Sequence, residues 1–388
     1  MTLASGAPGS RWEYYAADLR TGDILVDLPL VDFNGEVNLN GNGPMDARLP
    51  LAHLGYDQRR ALLDATVPGR NTVVGLRDGT IRGEWIIWKR GRRNNFDPVQ
   101  LSGAEVLTYA DRRMMQAWAW TQREQLDIAK DLIIAAFRGS DWAPVGAGSV
   151  AMSVATYAPS GQKRDRDWKA LDNSIGSRFR ELSEVDNGFD YVLRPGWSTD
   201  SPTSKVVRTL TFYYPQAGAD LGASMDMAAS GLSSPGVPTR GGNILDFRDE
   251  EDATALASRA YAIGETKDEV TLTGTYHDVA LVNLGYPFYE RSASHTTVKE
   301  QATIDDYARA LWEDGQSPAS TVDLVCLADA PPAIGEYDLG DIVTIALDPS
   351  TNYPDGYQGD VRILGWTFQP TDTGPATIKI RVTRELTK

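Results

Sequence analysis

The chain has 388 residues, 41% hydrophobic and 23% charged, with a formal net charge of −15 and a pI near 4.7. So acidic a chain lacks the basic face that displaces counterions from nucleic acid, which excludes a nucleic-acid-wrapping role. Its single cysteine, Cys326, excludes an internal disulfide and a Cys-based zinc cage, and its length predicts roughly two to four domains.

Met1–Gly6 carries neither a basic nor an apolar leader stretch, so no signal peptide is expected, and no apolar run approaches the ~18 residues of a membrane-spanning helix. From residue 12 to about 110 the pattern is one of short strands. Trp12–Leu19 and Ile24–Leu28 flank a Thr21-Gly22-Asp23 turn. Two residue pairs suited to tight hairpins follow, Asn34-Gly35 and Asp78-Gly79, and Glu84–Lys89 and Val99–Gly103 extend the series. Leu126, Ala129, Ile133 and Phe137 then recur at helical spacing ahead of Gly139. Leu171, Ile175, Phe179 and Leu182 mark a second amphipathic helix, with Gly188–Leu193 and Val206–Phe212 as a small sheet beneath it. Ala217–Gly242 is rich in Ala, Ser, Gly and Pro and reads as a mobile connection. Past it, Ala253, Leu256, Ala257, Ala260 and Ile263 predict a third helix stopped by Gly264. Its N-terminal dipole would face Asp246, Asp249, Glu250, Glu251 and Asp252. A strand, Glu269–Gly274, precedes a fourth helix through Ile304, Tyr307, Ala308, Leu311 and Trp312, opened by a capping pattern at Thr303. Three alternating segments close the chain: Ile334–Ile345, Asp360–Phe368 and Ala376–Arg384. The order is β, α+β, α+β, β, without a solenoid-type repeat.

Little in this chain suits catalysis. His53, His277 and His295 are its three histidines, and none sits in a metal-ligand or acid–base motif. They read as one loop residue and two strand-end residues. Cys326, within Val322–Leu327, reads as a buried core thiol. Among 53 acidic residues a pair at glycosidase separation is easy to find and carries little weight. The acids ahead of the third helix read first as helix-terminus charge and only second as a cation site. Asp348–Tyr353 opens like a calcium loop, yet Tyr353 stands where the turn glycine belongs and Gly359 where the bidentate glutamate belongs. No nucleophile elbow, Walker loop or dinucleotide fingerprint occurs in context, so no catalytic, cofactor or metal residue is assigned. The one concentrated basic stretch supplies candidate subunit contacts, Lys89, Arg90, Arg92 and Arg93, beside the plainer reading of a solvated loop. Trp85, Trp88, Trp118 and Trp120 read as core aromatics, or as anchors for a protein or a sugar where exposed.

The run Leu339-Gly340-Asp341-Ile342-Val343, then Arg362-Ile363-Leu364-Gly365-Trp366-Thr367-Phe368, then Ile380-Arg381-Val382-Thr383-Arg384, resembles the last barrel of phage tail-hub proteins. The likeness is to hubs of long-tailed phages, above all minor tail proteins of phages that infect actinobacteria. Further matching pieces, in order, are Leu25–Leu30, Gln122–Leu132, Glu184–Tyr191, Gly242–Phe247 and Gly285–Arg291. The resemblance implies an α+β, multidomain chain with two β-barrel-like domains at its ends and α+β insertion domains between them. The expected partition is 1–110, 111–215, a flexible connection over 216–242, 243–320 and 321–388. It further implies a non-enzymatic virion protein of the tail tip, assembled in the host cytoplasm. This would be a homotrimer that adapts a sixfold tail tube to a threefold tip and helps form the DNA-ejection channel. Implied neighbours are the distal tail protein or tube ring, the tape-measure protein and other tail-tip or fibre proteins, with DNA passing transiently along acidic walls. Larger relatives carry a hydrolase region, whereas this chain stops at Lys388 after the last predicted strand, so no lytic activity is expected. The rival expectation is a tail-tip protein that binds or cuts a carbohydrate or peptidoglycan at a cleft lined by tryptophans and a carboxylate pair.

Overall fold

Alternating burial, more than helix propensity, organises this chain. The computed structural model describes residues 12–383 except 93–97, 140–147, 201–203, 229–241, 268, 297, 317–318, 348, 350, 352–353, 369 and 371–375. Strands β1 (Trp12–Asp18), β2 (Ile24–Asp27), β3 (Val31–Asn38) and β4 (Pro44–Leu49) lead into helix α1 (Tyr56–Asp64). β5 (Asn71–Arg77), β6 (Thr80–Gly91) and β7 (Val99–Glu105) complete the first group. Asp78 and Gly79 take positive φ, 50° and 75°, and turn β5 into β6 as a tight hairpin requires. Asn34-Gly35 does not turn. It lies inside β3, where a Cβ on Gly35 would sit 2.7 Å from the Phe33 ring and 2.8 Å from the Trp85 ring. The glycine serves close ring packing, and the chain reverses later, around Asn40. Glu105 holds that turn by accepting from the Gly43 N–H (2.6 Å) and the Asn38 N–H (3.3 Å). Burial raises its pKa to about 8 against the pull of those donors, with Glu36 adding to the rise.

The second group holds a 3-10 helix (Val106–Arg112), β8 (Trp118–Glu124), α2 (Gln125–Phe137), β9 (Ser153–Val154) and β10 (Lys163–Trp168). It ends with α3 (Ile175–Ser183), β11 (Asp190–Trp197) and β12 (Val206–Tyr213). α2 lies where its periodicity puts it. α3 begins behind the Ser174 cap, whose hydroxyl accepts from the Ser177 N–H, so Leu171 is left exposed outside the helix. β11 and β12 pair antiparallel, as the sequence predicts.

β13 (Asp220–Ala228) and β14 (Ile244–Asp252) flank residues 229–241, so about half of the expected connection lies outside the described residues, and much of its first half is a strand paired with residues 342–346 and not a free connection. β15 (Arg259–Lys267), β16 (Val270–His277), α4 (Ala280–Asn283), β17 (Glu290–Ser294) and α5 (Gln301–Glu313) form a three-stranded sheet with its helix. The predicted third helix is absent. Its acidic approach is strand β14 and its later part is strand β15. Ala260 and Ala262 are buried while Tyr261 and Ile263 between and after them are not, a period of two. Ala262, with Gly264 and Gly274, leaves the room in which Ile304 of α5 packs onto the sheet, and that packing overrides alanine's helix propensity. α5 itself is present but starts at Gln301, ahead of the expected Thr303 cap.

The last strands are β18 (Ala319–Leu327), β19 (Ile342–Leu347), β20 (Tyr357–Phe368) and β21 (Thr377–Thr383). Thirteen strands share one sheet, along the path β14-β18-β21-β20-β3-β4-β7-β6-β5-β1-β2, with β19 on β20 and β13 on β19. The two chain ends meet where β3 pairs with β20: Gly35, Glu36, Val37 and Asn38 face Phe368, Thr367, Trp366 and Gly365. One core crosses that seam, with Phe33 and Trp85 from the first group against Phe368, Ile378 and Ile380 from the last. Among the described residues the strand path stays open, and no closed barrel forms.

A buried ion pair ties the second group to this sheet. Glu84 of β6 accepts two hydrogen bonds from Arg208 of β12, at 2.6 and 2.7 Å, with both side chains almost wholly excluded from solvent. Arg208 also donates to the carbonyls of Leu19 (2.8 Å) and Ala151 (3.2 Å), while Thr72 donates to Glu84 (2.7 Å). Asp190 of β11 makes a second tie, accepting from Asn40, Arg362 and the Ala217 N–H. The third group docks on the second through Val185, which packs against Ile304 and Tyr307, and through a Lys299–Asp167 pair. At the same seam His295 stacks flat on Tyr307, with ring centroids 3.7 Å apart. Burial, then the charges of Arg166 and Arg178, push the His295 pKa down to about 4.

Arg208→Met strands the Glu84 carboxylate in the interior and is expected to lower stability by about 3–5 kcal/mol, read as a lower urea midpoint. Glu84→Leu combined with Arg208→Met should recover most of that loss, because no lone buried charge remains. A single variant as stable as the parent would remove the pair from its structural role. His295 gives a pH signature. Its folded pKa lies below its ordinary value of 6.5, so between 6.5 and 4 the unfolded chain binds a proton that the folded chain refuses. Stability therefore falls as pH drops through that window and His295 adds no further loss below it. The drop in urea midpoint between those two pH values should be smaller for His295→Gln than for the parent.

Candidate interaction surfaces

The basic stretch splits into separate roles. Lys89 and Arg90 end β6, Arg92 follows it, and Arg93 lies outside the described residues. Lys89 and Arg92 are exposed. Arg90 turns inward and donates to the carbonyls of Leu63 and Thr66 and to the Thr66 hydroxyl. A guanidinium there meets the negative end of the α1 dipole. Burial, then the charge of Arg92, holds the Arg90 pKa below the usual arginine value. The structure thus brings Lys89 and Arg92 to the surface together and uses Arg90 to anchor α1.

The acidic cluster also changes meaning. Asp246, Asp249, Glu250, Glu251 and Asp252 lie along β14, the end strand of the sheet's pairing path, and not at a helix terminus. Four of the five are exposed, and a row of carboxylates on an outer strand discourages edge-to-edge pairing with other chains. Among the described residues no group of three or more His, Cys, Asp or Glu side chains is arranged to hold a metal ion. The Asp348–Tyr353 stretch lies largely outside the described residues.

An apolar surface emerges where sequence reasoning named none. From Val279 to Tyr289, around α4, six large hydrophobic side chains reach solvent, with Leu284 76%, Val279 60% and Phe288 53% exposed. Val282, Tyr286 and Tyr289 complete the group, and the Arg259 guanidinium lies over the Phe288 ring at 5.2 Å. The available signal was a non-alternating apolar run between a strand end and Glu290. Contiguous exposed apolar area of this kind marks a contact surface.

The tryptophans divide between core and surface. Trp85 is fully buried, its indole N–H donating to the Glu36 carbonyl at 2.7 Å, and Trp88 donates to Thr108 at 3.0 Å. Trp118 and Trp120 are only half-buried and form an edge-to-face series with Trp168, at 5.3 and 5.6 Å between centroids. His53 lies exposed in a turn and His277 ends β16. Cys326 is buried in β18, and burial pushes its thiol up to about 12, which leaves it unreactive. No helix among the described residues is long and apolar enough to cross a membrane.

No protein-family model matches the chain, and a search of curated proteins returns no match. Solved structures do match. A tail protein from Neisseria meningitidis superposes with a TM-score of 0.57 at 13% identity, covering 96% of this chain and 97% of that one. The 43 kDa tail protein of prophage MuSo2 from Shewanella oneidensis gives 0.56 at 11% identity, covering 96% and 98%. A prophage tail protein from Listeria monocytogenes gives 0.50 at 13% identity, covering 97% and 95%. At such identities the likeness is one of fold: over nearly its whole length, this chain has the fold of phage tail proteins.

Proposed function

We propose that the chain is a structural subunit of a phage tail: the trimeric hub of the tail tip or baseplate, which adapts a sixfold tube to a threefold tip. The observation that carries this reading is the β3–β20 seam, which makes one continuous wall from both chain ends on a fold shared with tail proteins. The two chain ends would act as two related tube-facing halves, as the resemblance implies, so that three chains would present six similar faces to a tube ring. In this reading residues 1–110 and 321–388 form the barrel-like, tube-facing part. Residues 111–215 and 243–320 are peripheral, joined by the connection 216–242. Its partners are two further copies, the distal tail protein or tube ring, the tape-measure protein and fibre proteins. The resemblance adds actinobacteria as hosts, whereas the three tail proteins compared come from other bacteria. Acidic walls with a reach of ~8 Å would repel DNA phosphates and let the duplex slide through. No catalytic role is proposed.

The mass of the purified chain in solution tests the trimer, with about three times 42.4 kDa expected. A monomer at every concentration that supports tail assembly would overturn it. Leu284→Ser with Phe288→Ser removes exposed apolar area, so the melting temperature should hold while incorporation into tails falls. Lys89→Glu with Arg92→Glu should likewise spare the fold and weaken subunit or ring contacts. Arg90→Ala is expected to act differently, lowering thermal stability by about 1 kcal/mol through the lost helix anchor.

A further inference from the structure

The unit that carries β15–β17 and α5 hangs from a single stalk. It is inserted between β14 and β18, which pair antiparallel as far as Asp252 opposite Ala319, so the chain enters and leaves the unit at one corner of the large sheet. Away from that stalk, the described residues dock it on the second group through Val185 against Ile304 and Tyr307 and through the exposed Lys299–Asp167 pair. That is a weak hold, because water and salt screen the exposed pair. A unit hinged at one point and lightly docked can part as a body when its docking face is disturbed.

His295 is placed to disturb it. Its ring stacks on Tyr307 with 3.7 Å between centroids and 13° between planes, and both rings belong to the unit. Two buried guanidinia of the second group, Arg166 of β10 and Arg178 of α3, act on the imidazole across the docking face. Arg178 is compensated by Asp172 and Glu181, at 2.7 and 2.6 Å. Arg166 is not: its Nη1 donates to the Asp165 carbonyl at 2.9 Å, and its buried Nη2 has no partner. We propose that His295 is an acid-sensitive latch: protonating it sets a third cation against Arg166 and Arg178 and swings the β15–β17 unit away from the second group about the β14–β18 stalk. The ring cannot turn from the arginines without breaking its stack on Tyr307, so the repulsion acts on the docking face itself.

Burial, then Arg166 and Arg178, push the pKa of docked His295 down to about 4 from its ordinary 6.5. The undocked form therefore takes up the proton first. Docking is full above that window, weakens as pH falls through it, and loses nothing more from His295 below it. Two carboxylates near the same face act the other way. Burial, then Asp186, raises the pKa of Asp306, while Arg164 lowers it. Burial raises that of Glu184, against Arg180 and with Glu181 and Asp314. Both hold a proton more readily when docked, so through them acid would tighten the seam. The sign of the response thus singles out His295.

A distance measured within the full chain tests this. Nitroxide labels on Lys163→Cys of the second group and Thr275→Cys of the unit, both exposed positions, report docking. The native Cys326 is buried, with its thiol pushed up to about 12, and stays unlabelled. As pH falls from 6.5 to 4, a longer distance should appear. The ratio of its population in the parent to that in His295→Gln should rise by up to about tenfold per pH unit while the open form is a minority. Comparing the two at each pH leaves the Lys299–Asp167 pair the same in both. Arg166→Gln should shrink the rise, because the uncompensated charge is gone. Lys299→Ala should raise the longer population at every pH and leave its pH dependence in place. No longer distance down to pH 4, or an equal response in His295→Gln, would overturn the proposal. So would a longer distance seen only where circular dichroism shows the whole chain unfolding. The readout is made on the isolated chain and does not depend on the tail-tip reading.

Discussion

The Glu84–Arg208 pair is the constraint on which the arrangement of this chain depends. Two opposite charges leave water completely, a desolvation cost of several kcal/mol per ion, which only near-ideal geometry offsets. That geometry is present: two parallel N–H···O contacts, a hydroxyl from Thr72 on the acid, and two carbonyls on the base. The carbonyls belong to Leu19 and Ala151, so one guanidinium fixes β12 to the end of β1 and to the chain just before β9. Hydrophobic packing alone would let the two groups slide over each other; a forked pair between fixed partners admits one register.

The other ties follow the same logic at the seams between groups. Arg77, with a side chain 1% exposed, reaches Asp329 and the Ala328 carbonyl, joining β5 to the segment after β18. Asp190 gathers Asn40, Ala217 and Arg362 from three distant parts of the sequence. The seam to the β15–β17 unit is of another kind: among the described residues it is made by Val185 against Ile304 and Tyr307 and by the exposed Lys299–Asp167 pair. Fewer buried contacts make it the place where that unit would part from the rest first.

Charge and exposed apolar area fall on different elements. Carboxylates occupy the end strand β14, where they keep an edge from pairing promiscuously, while six exposed large hydrophobic side chains lie close together in sequence around α4. In the tail-subunit reading proposed above, both features would help the chain meet its neighbours and avoid other contacts.

Local pattern alone was enough for most strands of the first group, for β20 and β21, and for α2, α5 and the β11–β12 pair, but it missed β4, and the strand read from Ile334 begins only at Ile342. The elements it found depend on neighbours in sequence: the period of apolar residues, or a Ser or Gly at a boundary. The Asp78-Gly79 turn belongs here too, since positive φ at two adjacent residues is a local demand. The misread elements depend on partners far away. Asn34-Gly35 has hairpin chemistry, yet the Trp85 ring needs the space a side chain would fill, so the pair lies mid-strand. Ala260 and Ala262 have helix propensity, yet α5 packs on a thin sheet surface at Ala262, so the two alternate in β15. Arg90 reads like its basic neighbours until the end of α1 arrives beside it. Sequence by itself determined the strand-rich class and the acidic character of this protein. Only the tertiary structure decided that both chain ends share one sheet, that Glu84 and Arg208 meet, and which apolar and aromatic residues stay in solvent. The physical reason is that burial and ion pairing are properties of distant groups brought together, and no periodicity along the chain encodes which groups those are.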